Sequence, residues 1–395
     1  MPSEIEIREL KPEELAERYE LSRLAFGGPA EPPPSALEVR ADRVRYGAFD
    51  GRGRLLGTAS EVVHHRWWDG SARPAVDVGG VAVAPEARGR GVARALLAHL
   101  LAEARGRDAG LSFLYPTVSA LYRSAGWAMV GARRSIDIPT ALLADARSRA
   151  PLSLRQGAPA DLAGLGALRS AVAQLRNGIL AAAEGTAASD SFPEGIDGVS
   201  IATDDGGDAG FIAWGRGPGY HEDAVLTVAE IMARTTEAAT SLVALLSSWR
   251  SVAPTVRFIA VPSGLLSHVL PLEVAREHRT SRFMGRVVDL ASLVRSRRWP
   301  AAVSGGCTIE VEDRLASWNH GRFELAVEGG RGELTPTTRA PQITVAVNGL
   351  ALLACGSATP EMLAEAGLAS LDNPAAVPLL RQVMVSPPVE LLDYF

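Results

Sequence analysis

The run Gly80-Val-Ala-Val-Ala-Pro-Glu-Ala-Arg88-Gly89-Arg90-Gly91-Val92-Ala93-Arg94 sets two glycines among three arginines, between a stretch with strand character and one with helix character. Backbone N–H groups at a helix start make a ready anion site, and glycines let a pyrophosphate approach them closely. Arg88, Arg90 or Arg94 adds charge for the phosphates. Arg88 to Ala93 fits the pattern of an Arg or Gln, two residues, Gly, one residue, then Gly or Ala. Ahead of it, Val81, Ala82 and Val83 offer backbone groups to an amide-rich arm, as an added strand would. A generic glycine-rich turn and a dinucleotide site are the competing readings. The turn follows the fourth strand of its domain and carries extra arginines, which favours acyl-CoA.

About thirty residues on, Leu114-Tyr-Pro-Thr-Val-Ser-Ala-Leu-Tyr122-Arg-Ser-Ala-Gly126-Trp127 reads as strand, short helix and turn. Tyr122 on that helix is positioned to reach a thioester sulfur. A phenol with pKa about 10 giving its proton to a thiolate of about 8.5 works uphill by roughly 2 kcal/mol, acceptable if transfer accompanies collapse of the adduct. Core packing is the alternative for Tyr122. His64 and His65 precede Trp67 and Trp68 at a strand end, so alternation sends one inward and the other outward. One of them is a candidate base, and a rim pair is the plainer reading. No sequence pattern suggests a metal or a serine triad.

These residues need a scaffold, and the composition allows one. The chain has 395 residues, 47% hydrophobic and 22% charged, with 40 basic and 45 acidic side chains. That length suggests two or three domains. A net charge of −5 argues against a nucleic-acid partner and suits a cationic small substrate. Lys11 is the sole lysine. No long apolar run and no basic, apolar leader are present, so the expectation is a cytoplasmic protein with no membrane partner. Cys307 and Cys355 match no metal pattern and read as free core thiols.

Strand and helix signals alternate through residues 1–140. Strands are expected near Ile5 and Ile7, at Arg45–Phe49, Leu55–His64, Pro74–Val83 and Leu111–Tyr115, with a closing hairpin at Met129–Ile138. Helices are expected at Lys11–Ala25, at Gly91–Arg105, where Val92, Leu96 and Leu100 recur at i+4, and at Ser119–Ala125. Pro139–Pro151 reads as a linker. Leu152 to Arg250 then repeats a similar order, with Ile231-Met-Ala-Arg-Thr-Thr in place of the glycine-rich turn. It reads as a degenerate second copy. From Gly285 the pattern changes: strands at Gly285–Leu290, Cys307–Asp313, Gly321–Val327, Gly332–Thr335 and Gln342–Asn348, and helices at Leu350–Cys355, Pro360–Ala366 and Pro374–Leu380.

The cofactor string, the Leu121-Tyr-Arg-Ser-Ala-Gly-Trp127 segment and the terminal Phe395 together resemble the enhanced intracellular survival (Eis) acetyltransferases, which belong to the GNAT type, over the whole chain. Thr308–Leu325 and Leu363–Leu371 are similar to a sterol carrier protein domain. The resemblance implies an α+β (mixed αβ) fold with two GNAT-type domains in tandem, 1–145 and 146–284, followed by a sterol-carrier-protein-like domain, 285–395. It implies acetyl-CoA as co-substrate, held by Val81 to Val83, Gly89 to Arg94, Thr117 and Val118. It makes Tyr122 the general acid and the α-carboxylate of Phe395 the general base. Phe26, Asp393 and Tyr394 become acceptor-pocket candidates by position. The implied acceptor is an amine of a polycationic small molecule such as an aminoglycoside, and the implied assembly is a homohexamer. Acetylation of protein or peptide lysines is the rival activity. A lipid or sterol carrier acting through the C-terminal domain is the rival of another class.

Overall fold

The computed structural model describes residues 5–146, 150–181, 195–260, 264–373, 377–383 and 386–395. The chain opens with β1 (Glu6–Glu9), α1 (Leu15–Phe26), α2 (Pro34–Leu37), β2 (Arg43–Phe49), β3 (Leu55–Trp68) and β4 (Ser71–Val83). Then come α3 (Val92–Gly106), β5 (Leu111–Leu114), α4 (Ser119–Ser124), β6 (Ala128–Pro139), β7 (Ser153–Gln156) and α5 (Leu162–Ala173). The middle continues with β8 (Leu180–Ala181), β9 (Gly198–Asp204), β10 (Gly207–Arg216), β11 (Val225–Ala233), α6 (Thr236–Leu246), β12 (Thr255–Phe258), α7 (Leu265–Val269) and β13 (Arg276–Val287). The last part holds α8 (Leu290–Ser296), β14 (Gly305–Glu312), β15 (Gly321–Glu328), β16 (Arg331–Pro336) and β17 (Ile343–Ala346). It ends with α9 (Val347–Ala354), α10 (Pro360–Glu365), β18 (Ala369–Ser370) and α11 (Val377–Val383).

Two compact units form. The first comprises Met1–Gly131, Phe283–Val389 and Phe395, and the second Ala132–Arg282 with Glu390–Tyr394. In the first, β1, β2, β3 and β4 are antiparallel neighbours and β5 lies parallel to β4. Met284–Val287 of β13 closes that side, antiparallel to β5. In the second, β7, β9, β10 and β11 are antiparallel neighbours and β12 runs parallel to β11. Ile136–Pro139 of β6 closes it, antiparallel to β12. The first unit thus draws its closing strand from a distant segment of the chain, and the second from the segment that precedes its other strands. The expected hairpin at Met129–Ile138 is instead the single strand β6, because its two halves serve different cores. Likewise β13 begins at Arg276 rather than Gly285 and does not open the C-terminal domain.

Periodicity explains the helices that matter. Along α3, Val92, Leu96, Leu97, Leu100, Leu101 and Ala104 form one buried face against β3 and β4. Along α6, Ala238, Ala239, Leu242, Val243 and Leu246 do the same in the second unit. The remaining first-unit strands make a separate sheet in the order β16-β15-β14-β17-β18. It is joined to the GNAT-like sheet by Arg286, which donates to both oxygens of Asp313 at 2.9 Å with both side chains buried. Cys307 and Cys355 are free and buried, as expected. The helix expected at Pro374–Leu380 starts at Val377, and residues 374–376 lie outside the described residues, as do 147–149 of the expected linker.

Candidate active site

α3 begins without a cap of its own. Its N-cap is Gly91 at φ 83°, and no side chain bonds the first N–H groups. Gly89 is also left-handed, at φ 75°. A Cβ added at either glycine would meet no atom within 4 Å, so the turn presents backbone to open space. Arg88, Arg90 and Arg94 are exposed around it. Open N–H groups plus arginines are what a pyrophosphate needs.

The strand feeding this turn is bulged. Ser60 pairs with Gly79 and Thr58 with Ala82, so Gly80 and Val81 together face Ala59 alone. Gly80 takes φ 59° there. Such a bulge re-aims the following strand end, here Val81–Val83. Beyond Ala75, which pairs with Leu111, β4 and β5 separate. Asp77 fills the gap: its Oδ1 accepts from the Phe113 N–H at 2.9 Å.

A cleft of about 640 Å³ collects most of the residues singled out in the sequence. Val81, Ala82, Val83, Arg88, Gly89, Gly91, Val92, Ala93, Arg94, Thr117, Val118 and Tyr122 all line it, and so does Phe26. Arg90 stands beside the turn without lining the cleft. Tyr122 is buried, its ring edge-on to Trp127 with centroids 6.4 Å apart. The Trp127 N–H returns to the Tyr122 carbonyl at 3.0 Å, and Arg286 lies over the indole. Gly126 is required at this turn, since a Cβ would sit 2.1 Å from Arg286 Nη1. Burial pushes the Tyr122 phenol up to about 12. It therefore stays protonated through the working range, and complete transfer to a free thiolate would run uphill by about 5 kcal/mol. Any donation from it to a leaving thiolate would have to accompany cleavage of the C–S bond.

The other candidates lie elsewhere. The Phe395 ring packs against Tyr115 and His64, with centroids 5.3 and 6.4 Å away, and under the Arg66 guanidinium at 5.6 Å. His64 Nε2 stands 2.9 Å from Asp77 Oδ2, while His65 is exposed. Asp77 also accepts from Arg66 Nε at 3.1 Å, and against full burial the Arg66 guanidinium and the contact with His64 hold its carboxyl below the usual range. Asp393 lines a different, largely apolar cavity of about 480 Å³ in the second unit, beside Arg169 and Glu230. Tyr394 is exposed, with Arg279 over its ring at 5.8 Å. Sequence reasoning missed Asp77 and Arg66. The one available signal was a lone acid inside the apolar run Ala75-Val-Asp-Val78, which needs a buried cation.

The chain matches known families in two places. Residues 6–130 match the acetyltransferase (GNAT) domain, and residues 290–389 the sterol carrier protein domain. It is similar over its whole length to a GCN5-related N-acetyltransferase from Kribbella flavida, with 25% identity, 100% of this chain and 99% of that one covered, and a TM-score of 0.84. A GCN5-related N-acetyltransferase from Anabaena variabilis shares 22% identity over 99% and 100% of the two chains, with a TM-score of 0.85. Eis1 from Mycobacterium abscessus shares 21% over 99% and 100%, with a TM-score of 0.76. No curated protein matches the sequence. The fold is mixed α+β, with an N-terminal GNAT domain and a C-terminal sterol carrier protein domain. The chain is an acetyltransferase of the GNAT type that uses acetyl-CoA as co-substrate. No described helix is long and apolar enough to cross a membrane, and no metal-ligand cluster occurs among the described residues.

Proposed function

We propose that this enzyme acetylates a primary amine of a small molecule by direct attack on acetyl-CoA, as an Eis-like protein. The uncapped α3 N-terminus, opening on the same cleft as Tyr122, carries this reading. Val81–Val83 would pair with the pantetheine arm, the backbone of Gly89–Arg94 and the arginines would hold the pyrophosphate, and Thr117 and Val118 would flank the thioester. Tyr122 would protonate the leaving thiolate. The α-carboxylate of Phe395 would receive the acceptor ammonium. At an ordinary pKa of about 3.5 it is a weak base, so it would hold the charge or pass the proton to water. The second unit is read as a degenerate GNAT domain, and a closed homo-oligomer, a hexamer by resemblance, as the assembly.

An aminoglycoside-like acceptor calls for carboxylates on the acceptor face. Asp77, the acid beside His64, is already committed to Arg66 and His64. The acceptor is accordingly given as an amine, with polycations as one arm of the test. Free-thiol release from acetyl-CoA is to be measured with amino acids, polyamines, aminoglycosides and lysine peptides. Release with at least one small amine, stoichiometric with N-acetyl product, is expected. Release no faster than hydrolysis with every amine would sink the reading.

A further inference from the structure

Most buried arginines of the first unit have a carboxylate: Arg66 has Asp77 and Arg286 has Asp313. Among the described residues Arg18, Arg45 and the half-buried Arg43 form no ion pair, the nearest acids being Asp42 and Glu38 beside Arg43 and Arg45. Arg18 on α1 is 9% exposed and Arg45 on β2 is 6% exposed. No ion pair with a described acid engages any of the three. Arg45 Nη1 donates to the Glu38 carbonyl at 2.6 Å, and Arg18 Nη2 reaches only Ser60 Oγ, at 3.5 Å. The Nε atoms of both are buried without an acceptor. Burial pushes Arg18 down to about 10, and repulsion from Arg45 and Arg43 adds to this. Burial lowers Arg43 and Arg45 as well. Asp42 offsets part of this at Arg43 and, with Glu38, at Arg45, while no described acid acts on Arg18. Desolvated cations crowded together remain unfavourable, and an anion relieves that.

The cluster has a definite address. Arg45 pairs with Ser60, and Ser60 pairs with Gly79, so the three share one sheet face. Arg43 shares it by alternation. A Cβ at Gly79 would meet nothing within 4 Å, and one at Gly80 would sit 3.0 Å from Arg18 Nη2. The Arg18 guanidinium thus stands beside Gly80 at the β4 bulge, where Val81–Val83 begins, and the neighbouring Gly79 position faces open space. His64 lies on the same face of β3, two alternations from Ser60, with Phe395 against it.

We infer that Arg18, Arg43 and Arg45 recognise an oxyanion, a carboxylate or a phosphate, borne by the acceptor amine. The acceptor is then a zwitterion or an acidic amine, not a polycation. Planar guanidinium groups match both oxyanions, and a polycation would be repelled by them. This inference rests on the amine-acetylation reading for its ligand, but its test reads binding and needs no turnover.

Calorimetry on the full chain with CoA present would compare β-alanine and O-phosphoethanolamine with β-alaninamide and ethanolamine, and with spermidine. The acid-bearing probes should bind at least tenfold more tightly than their neutral partners, and whichever of the two leads identifies the oxyanion. Arg18→Gln and Arg43→Gln should each erase that preference. Inorganic phosphate should raise the thermal midpoint of the wild type more than that of Arg18→Gln. The half-buried Arg43 carries the test if Arg18→Gln misfolds. Tighter binding of spermidine or of the neutral probes would overturn the inference. So would a preference that survives both substitutions, or no binding of either acid-bearing probe at millimolar concentration. Thiol release failing with all amines while the acid preference stands would overturn only the acetylation reading.

Discussion

The two units build the same strand order and put different ends on it. In the first, β4 runs into Arg88-Gly89-Arg90-Gly91, and α3 starts with its N–H groups uncapped. In the second, β11 runs into Arg234-Thr235, and the Thr235 hydroxyl accepts from the Ala238 N–H at 3.2 Å, so α6 caps itself. The space at the α6 start is lined by Asp204 and Asp205, which repel phosphate, with Arg234 as its one arginine among the described residues, where three arginines surround the α3 start. Both helices bury the same kind of apolar face. Shared packing keeps the architecture, while cofactor binding depends on a few turn residues and on who satisfies the first helical N–H groups. On the proposed reading of the second unit as a degenerate copy, the ligand site is lost while the fold is kept.

Five perturbations break or sharpen that contrast. The largest effect should come from residues added after Phe395, which turn the α-carboxylate into an amide within the first unit. Turnover should vanish while the circular dichroism spectrum and acetyl-CoA affinity persist; a C-terminally tagged enzyme of full activity would remove the carboxylate from the mechanism. Next, Tyr122→Phe keeps the ring against Trp127 and removes the acid. Its kcat should fall by roughly 10² to 10⁴ with little change in KM for acetyl-CoA, and a loss under threefold would leave Tyr122 a packing residue. Smaller again, Gly91→Asp places a carboxylate and a strained φ where the proposed site brings backbone to pyrophosphate. Acetyl-CoA affinity should drop at least tenfold, about 1.4 kcal/mol, and unchanged affinity by calorimetry in a folded variant would contradict the site.

Much of this was legible in the sequence because it is local. The turn, the α3 face and the Tyr122-to-Trp127 segment each depend on neighbours within a dozen residues, and the turn, the start of α3 and Tyr122 line one cleft. What was hidden is non-local. No spacing shows that Met284–Val287 closes the first unit's sheet or that Ile136–Pro139 closes the second, so a single strand was read as a hairpin. Nor does it show that Arg66 reaches Asp77, or that Arg18 stands over Gly80, forty and more residues of chain apart from its neighbours in space. Asp393 and Tyr394 were grouped with Phe395 because they precede it. In an extended tail, however, successive side chains point in different directions, and these two belong to the second unit while Phe395 belongs to the first.

The smallest expected effect tests the self-capped helix directly. Thr235→Ala removes the hydroxyl that satisfies the Ala238 N–H and leaves one orphan donor at the start of α6. N-cap threonine to alanine changes cost about 1 kcal/mol, enough to lower the thermal midpoint by a few degrees in a domain of this size. If the second unit only supports the first, kcat and acetyl-CoA affinity should stay within twofold below that midpoint. The corresponding change on the other side behaves differently. Gly91→Thr cannot cap α3 in the same way, because Thr235 caps from φ −131° whereas Gly91 sits at φ 83°. It should strain the turn and weaken acetyl-CoA binding. The two threonine variants thus test one claim from opposite ends: a cap stabilises α6, and its absence lets α3 bind. A fall in acetyl-CoA affinity on Thr235→Ala, measured well below its melting point, would mean that the second unit takes part in cofactor binding.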